Sequence, residues 1–219
     1  MLVETDAIVL STLKYGDASL IARCYCKELG LKSFLLKGIL SSKKGRLKKS
    51  FFQPLSLITL NTQIKNESKQ GLNFIKEASV KIHFQEIPLD IKKNAVALFL
   101  SEVLTQVISE EGDPNSSLYN HIENGIIRLE NEKFSPIFHL KFLIELFNEL
   151  SKLKNNLILN IIGDTLPEYE SYYYELKVKA EQYNLTKKIN FIGYQSDVKK
   201  YLEKSNFFIH CPIKPDPLP

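Results

Sequence analysis

The chain has 219 residues, 44% of them apolar, with 29 Lys and Arg against 25 Asp and Glu. That length suits one large domain or two small ones around a sizeable core. No run reaches the roughly 18–20 apolar residues that cross a bilayer, and Glu4 and Asp6 precede the first apolar run with no basic segment ahead of it, so neither an anchor nor a secretory leader is expected and a soluble cytoplasmic protein is.

The net charge of +4 is spread unevenly. Residues 1–60 hold ten basic residues against four acids, residues 61–150 nine against thirteen, and residues 151–219 ten against eight. Between 31 and 50 stand Lys32, Lys37, Lys43, Lys44, Arg46, Lys48 and Lys49 with no acid. A cluster of this kind is the electrostatic footprint of a polyanion partner, with a solubilising loop as the alternative. Three cysteines make no disulfide framework. Cys24 and Cys26 alternate with Tyr25 and read as small buried hydrophobes, since a structural zinc site needs four ligands and no second pair lies nearby. No metal and no cofactor is expected.

The first 81 residues read as five short strands. Thr5 to Leu13 ends before the turn signal Tyr15-Gly16-Asp17. Ser19 to Lys27 alternates, with Leu20, Ala22, Cys24 and Cys26 on one face and Ile21, Arg23, Tyr25 and Lys27 on the other. Lys32 to Gly38 sets Phe34 and Leu36 opposite Ser33, Leu35 and Lys37. A basic loop, Ser41 to Ser50, leads to strands Pro54–Ile64 and Leu72–Ile82. Five antiparallel strands with turn signals fit a small closed barrel of the OB type.

After Pro88 the pattern turns helical. Asp90 is placed to cap a helix to about Ile108, with Val96, Leu100, Val103 and Val107 on one face. A second helix covers about Ser116 to Leu129. Ser135-Pro136 starts a third, lined by Ile137, Leu140, Ile144 and Phe147. From Leu157 the order becomes β-α-β-α-β: strand Leu157–Ile162, helix Glu168–Tyr183, strand Ile189–Ile192, a helix capped by Ser196 and Asp197 and running to Lys204, and strand Asn206–Cys211. These strands are apolar enough to be buried on both faces of a parallel sheet. His210 beside Cys211 reads as packing.

Arg23, Tyr25 and Lys27 share a strand face, with Lys37 on the next strand. A base stacked on Tyr25 and phosphates on Arg23, Lys27 and Lys37 would hold a single strand without sequence readout. Lys43, Lys44, Arg46, Lys48 and Lys49 would extend that surface.

The stretches "ETDAIVLSTLKYGDASLIARCYCKELGLKSFLLKGILSSKKG", "SFFQPLSLITL", "NAVALFLSEVLTQVISEEGDPNSSLYNHIE" and "SPIFHLKFLIEL" resemble, in chain order, the RecO family of bacterial recombination mediators over residues 1 to about 147. The resemblance implies an OB barrel followed by a helical domain. It also implies binding of single- and double-stranded DNA, annealing of complementary strands, and loading of the recombinase with RecR. RecR and the acidic C-terminal tail of the single-strand-binding protein are the implied partners. The family's basic barrel surface falls on Arg23, Lys37 and the 43–49 loop, and Leu40 stands where an Arg is expected. The four-cysteine zinc site of many members has no counterpart here.

The tail resembles part of a GT-B glycosyltransferase of group 1. The match rests on the strand ending in Ile162-Gly163-Asp164, on Phe191-Ile192-Gly193-Tyr194, on Asp197 to Leu202, and on "FFIHCPIKPDPLP". The segment that grips the nucleotide sugar in that family would begin after Pro219.

The expected architecture is therefore α+β and multidomain. An OB-type barrel covers 1–82, a truncated α-helical bundle 83–147, and a Rossmann-like β-α-β-α-β fragment 148–219. The expected function is non-enzymatic DNA binding in repair and recombination, with a glycosyltransferase fragment or an inactive hybrid of the two as the alternatives.

Overall fold

The structure is a computed structural model that describes residues 2–41, 47–63, 72–108, 113–165 and 167–211. Strands β1 (Leu2–Tyr15), β2 (Ser19–Cys26), β3 (Gly30–Leu36), β4 (Leu57–Gln63) and β5 (Asn73–Val80) close into a barrel in the order β1-β2-β3-β5-β4. Every pairing is antiparallel except β3 with β5. This is the OB-type barrel that the strand pattern predicts.

The alternation sets the core. Ala7, Val9, Leu20, Ala22, Cys24, Cys26, Phe34, Leu36, Ile58, Leu60 and Ile75 pack in one buried cluster. Both cysteines are fully buried there, and burial pushes the Cys24 thiol up to about 12 and that of Cys26 up as well. They act as small hydrophobes. β1 is longer than its apolar run because it serves two neighbours. Residues 2–8 pair with β4 and residues 7–15 with β2, and a bulge between Val9 and Ser11 lets the strand turn from one to the other. Gly16, at φ 63, supplies the left-handed residue of the turn into β2.

Three helices follow: the short α1 (Glu86–Leu89), which the sequence pattern does not show, α2 (Ile91–Val107) and α3 (Ser116–Asn131). Asp90 caps α2 as expected, accepting from the backbone N–H of Lys92 and Lys93. Asn115 caps α3 through the N–H of Leu118, 2.8 Å away. These helices dock on one wall of the barrel. Ser101 Oγ donates to the Leu10 carbonyl, and Lys81 Nζ bridges Asp6 Oδ2 at 2.5 Å and Glu123 Oε1 at 2.7 Å. Glu130 accepts from the N–H of Gln85, Glu86 and Ile87 at 2.6 to 2.9 Å, while Lys93 Nζ donates to its carbonyl at 2.7 Å. The docking explains why Ile8, Leu10, Tyr25 and Leu31 are buried although they alternate with the core residues.

The chain divides into two compact units, Met1–Phe134 and Ser135–Pro219. The second holds α4 (Phe138–Leu153), β6 (Leu159–Ile162), α5 (Glu170–Gln182), β7 (Ile189–Gly193) and the single turn α6 (Lys199–Leu202). β6 and β7 run parallel, as predicted. Ile144 of α4 packs with Leu176, Ala180, Leu185 and Ile189, and Lys179 Nζ meets Glu145 Oε1 at 2.5 Å. The third helix thus groups with the α/β tail.

Two expectations for the tail differ from the structure. Residues 206–211 form no strand; Phe207 and Phe208 are exposed, and the exposed His210 ring stacks on Phe208 at 6.1 Å instead of packing in a core. An apolar run becomes a strand only where it pairs with a neighbour, and this segment forms no ladder with either free edge of the two-stranded sheet. β6 is also only half-buried, where burial on both faces is expected. No helix among the described residues is long and apolar enough to cross a membrane.

Candidate nucleic-acid interface

Strand direction sorts the expected site residues. The ends of β1, β3 and β5 and the starts of β2 and β4 lie at one end of the barrel, as the pairings require. Lys37 follows β3 at that end, where the Gly38 N–H donates to Ser19 Oγ at 3.2 Å. A 3-10 turn, Lys49–Phe52, sits between β3 and β4. Its Phe52 is buried in the barrel core with Ile39 and Leu36, which fixes the exposed Lys48 and Lys49 at the same end. The Lys48 ammonium lies 5.9 Å from the centre of the Phe51 ring. Exposed Lys14 on β1 joins them. Leu40 is exposed here too, its N–H held by the Ala18 carbonyl at 3.0 Å, so an apolar side chain stands within the basic patch.

Arg23 is half-buried on the outer wall, paired with Ser11 on one side and Ser33 on the other. Lys27 belongs elsewhere. It lies eight register positions from Lys37, roughly 26 Å along the strands. It sits over the Tyr119 ring, 5.9 Å from the centroid. Lys43, Lys44 and Arg46 lie outside the described residues.

Tyr25 corrects the sequence reading. It is 3% exposed, its ring is 6.2 Å from that of Tyr119, and its hydroxyl donates to the Asn115 carbonyl at 3.3 Å. Burial pushes its phenol up to about 12. A ring enclosed between barrel and helix has no face to offer a base. It faces outward, as the alternation says, but into the docked helices instead of solvent.

The open part of the outer wall carries other groups. Leu13, Ile21, Leu35 and Phe74 form one row across β1, β2, β3 and β5. The next row, about 7 Å along, holds Tyr15, Ser19 and then Lys37 beside it. Leu13, Tyr15 and Phe74 are 68%, 54% and 41% exposed. The sequence marks Tyr15 only as the edge of a turn. Phe74 alternates with the core residue Ile75, a signal that places it outward but not in the open.

In the tail, a cleft opens at the C-terminal ends of β6 and β7, lined by Gly163, Asp164, Thr165, Glu170, Tyr173 and Gly193 among others. This is the usual ligand position in parallel α/β sheets. Among the described residues its charged lining groups are Asp164 and Glu170, which repel a diphosphate.

Family models match both ends of the chain. "Recombination protein O N terminal" matches residues 1–84, and "Recombination protein O C terminal" matches 88–150. The DNA repair protein RecO of Christiangramia forsetii is 31% identical over 208 residues, 93% of this chain and 84% of that protein. The chain belongs to the RecO family. RecO of Flavobacterium johnsoniae is 37% identical over 146 residues, 67% of this chain and 60% of the relative. RecO of Bacteroides fragilis is 39% identical over 156 residues, 71% of this chain and 63% of the relative. The chain thus spans about three-fifths of the length of these last two. "Glycosyl transferases group 1" matches residues 128–219. The RecO and glycosyltransferase matches overlap on 128–150, which includes most of α4, the helix that packs on the α/β tail.

Proposed function

We propose that this chain binds DNA through the basic end of its barrel and serves DNA repair and recombination. The role is non-enzymatic: annealing of complementary strands and delivery of the recombinase, with RecR and the acidic tail of the single-strand-binding protein as partners. The observation that carries the reading is the gathering of Lys14, Lys37, Lys48 and Lys49 at one end of an OB barrel, from three separate stretches of sequence. Arg23 adds to it on the adjoining wall, and Lys43, Lys44 and Arg46 carry the same charge in the sequence between β3 and the 3-10 turn. Their relatives' printed name, DNA repair protein, points the same way.

The test is fluorescence anisotropy with a labelled single strand across a salt series. Each phosphate contact contributes about 0.7 to the slope of log affinity against log salt. The triple variant Lys37→Ala, Lys48→Ala, Lys49→Ala should flatten that slope by about 2 and weaken binding at least tenfold near physiological salt. Unchanged affinity and slope would remove this end of the barrel from the interface. Glycosyl transfer is not proposed for the tail, because the described residues of the cleft at its strand ends are acidic where a nucleotide sugar needs positive charge.

A further inference from the structure

The open wall beside the basic patch has a composition that phosphate binding alone does not require. Leu13, Ile21, Leu35 and Phe74 cross four strands as one apolar row, and Tyr15 stands one row further toward the barrel end. Leu13, Tyr15 and Phe74 expose much of their surface to water. The helices cover Tyr25 and Leu31 on the other half of the same wall and leave this half open. Cations surround the row. Arg23 lies one row away, Lys37 continues β3 beyond Leu35, and exposed Lys76 lies two residues past Phe74. Asp17 at the hairpin turn and Glu77 beyond Lys76 are the nearby acids in sequence.

A duplex offers a protein its phosphates but hides the faces of its bases. An unpaired strand offers both, and every base has a π-face for an aromatic ring to stack on. Tyr15 and Phe74 are three strands and one row apart, roughly 15 Å, so each would take a different base while the chain between them passes Leu35, Arg23 and Lys37. We infer that Tyr15 and Phe74 are stacking residues that let the barrel wall select unpaired DNA over duplex. The inference rests on the DNA-binding reading above and adds to it the residues that discriminate between the two forms of DNA. Phosphate contacts at Lys37, Lys48 and Lys49 serve both forms, while the aromatic row serves only the single strand.

The chain contains no tryptophan, which gives a direct probe. Phe74→Trp places a single indole on the open wall. Its emission should be quenched by oligo-dT and left unchanged by a blunt duplex of equal length at saturating concentration. Tyr15→Ala and Phe74→Ala, measured in the full chain by anisotropy, should each weaken oligo-dT binding roughly tenfold. Duplex affinity should stay within about twofold and the salt slope should not move, because no phosphate contact is lost. Tyr15→Phe and Phe74→Tyr should retain wild-type single-strand affinity, which separates stacking from a folding defect. Equal losses on both substrates, or no loss on either, overturn the inference while leaving the DNA-binding reading intact. Loss of binding to an acidic peptide with oligo-dT binding unchanged also overturns it, by making the row a protein-docking surface. Failure of the unaltered chain to bind either DNA would instead remove the reading on which the inference rests.

Discussion

The two units solve the problem of the sheet edge differently. In the first, five strands close on themselves, so each strand has a neighbour on both sides, and helices cover part of the outer wall. In the second, two parallel strands pair only with each other and are half-buried. Ile158, Tyr194, Phe207 and Phe208 are each more than 60% exposed. A closed barrel is complete with its five strands. A parallel sheet depends on layers on both faces and on further strands to either side. The exposed apolar groups therefore have different meanings in the two places. On the barrel, Leu13, Ile21, Leu35 and Phe74 form one row bordered by cations on a closed surface. In the tail the exposed apolar groups are scattered over elements whose core is still shallow.

The strongest way to break this comparison is to damage one unit and watch the other. Tyr119 is fully buried and is among the largest enclosed side chains. Tyr119→Ala should destabilise the first unit by about 4 kcal/mol. Hydrogen exchange followed by mass spectrometry should show faster exchange in β1, β2 and α3, with α5 and β7 unchanged. Equal acceleration in both units would mean that they unfold as one, and the comparison would collapse.

Glu130 comes next. Removing its carboxylate strands three backbone N–H groups at the start of α1, and Glu130→Ala should cost about 3 kcal/mol. The effect depends on pH. Burial alone would raise the Glu130 pKa, but the three N–H donors and the nearby Lys93 charge more than offset it, leaving the carboxyl below its ordinary value of 4.5. A depressed carboxylate stabilises the fold fully above its unfolded value and loses that contribution as the pH falls through the folded one. Urea melts should therefore show the largest gap between wild type and variant near neutral pH, and a shrinking gap in acid. A gap that grows on acidification would contradict the assignment.

In the tail, Lys179→Ala removes a cation from beside Glu145, which is 3% exposed. A loss of about 2 kcal/mol is expected, read as faster exchange in α4 and α5 alone. A matching change in β1 and β2 would show that α4 stabilises the first unit as well.

Much of this was legible in the sequence, for local reasons. The period-two alternation of Ser19 to Lys27 separates Leu20, Ala22, Cys24 and Cys26 from their outward neighbours whatever lies further along the chain, and Asp90 announces a helix start by its own hydrogen bonds. The remainder depended on partners distant in sequence. Alternation shows that Tyr25 and Phe74 face away from the core, but the docking of α3 decides that one is buried and the other open. The basic end is assembled by topology, because β3, the 3-10 turn and the end of β1 meet only once the barrel closes. For the same reason α4 carries an apolar face that fits a helical bundle in sequence, yet that face packs on α5 and β7. The run Asn206–Cys211 has the composition of a strand and no paired neighbour to make it one.

The smallest expected effect sharpens the comparison between the covered and the open halves of the barrel wall. Tyr25→Phe keeps the ring and removes only the hydroxyl that donates to Asn115. The bond is long, at 3.3 Å, and the net value of such a bond is about 1 kcal/mol. Thermal stability should fall by no more than that, and single-strand affinity should match wild type, because the ring lies between β2 and α3 and not at the DNA surface. The same conservative change made at Tyr15 should leave stability unaltered, since Tyr15 is more than half exposed. Tyr25 should also fail to ionise in a spectrophotometric titration near pH 10, where exposed tyrosines do, because burial pushes it up to about 12. If Tyr25→Phe weakened single-strand binding more than it lowered stability, the covered wall would have to open when DNA binds. The division between a packed half and a binding half would then hold only for the DNA-free protein.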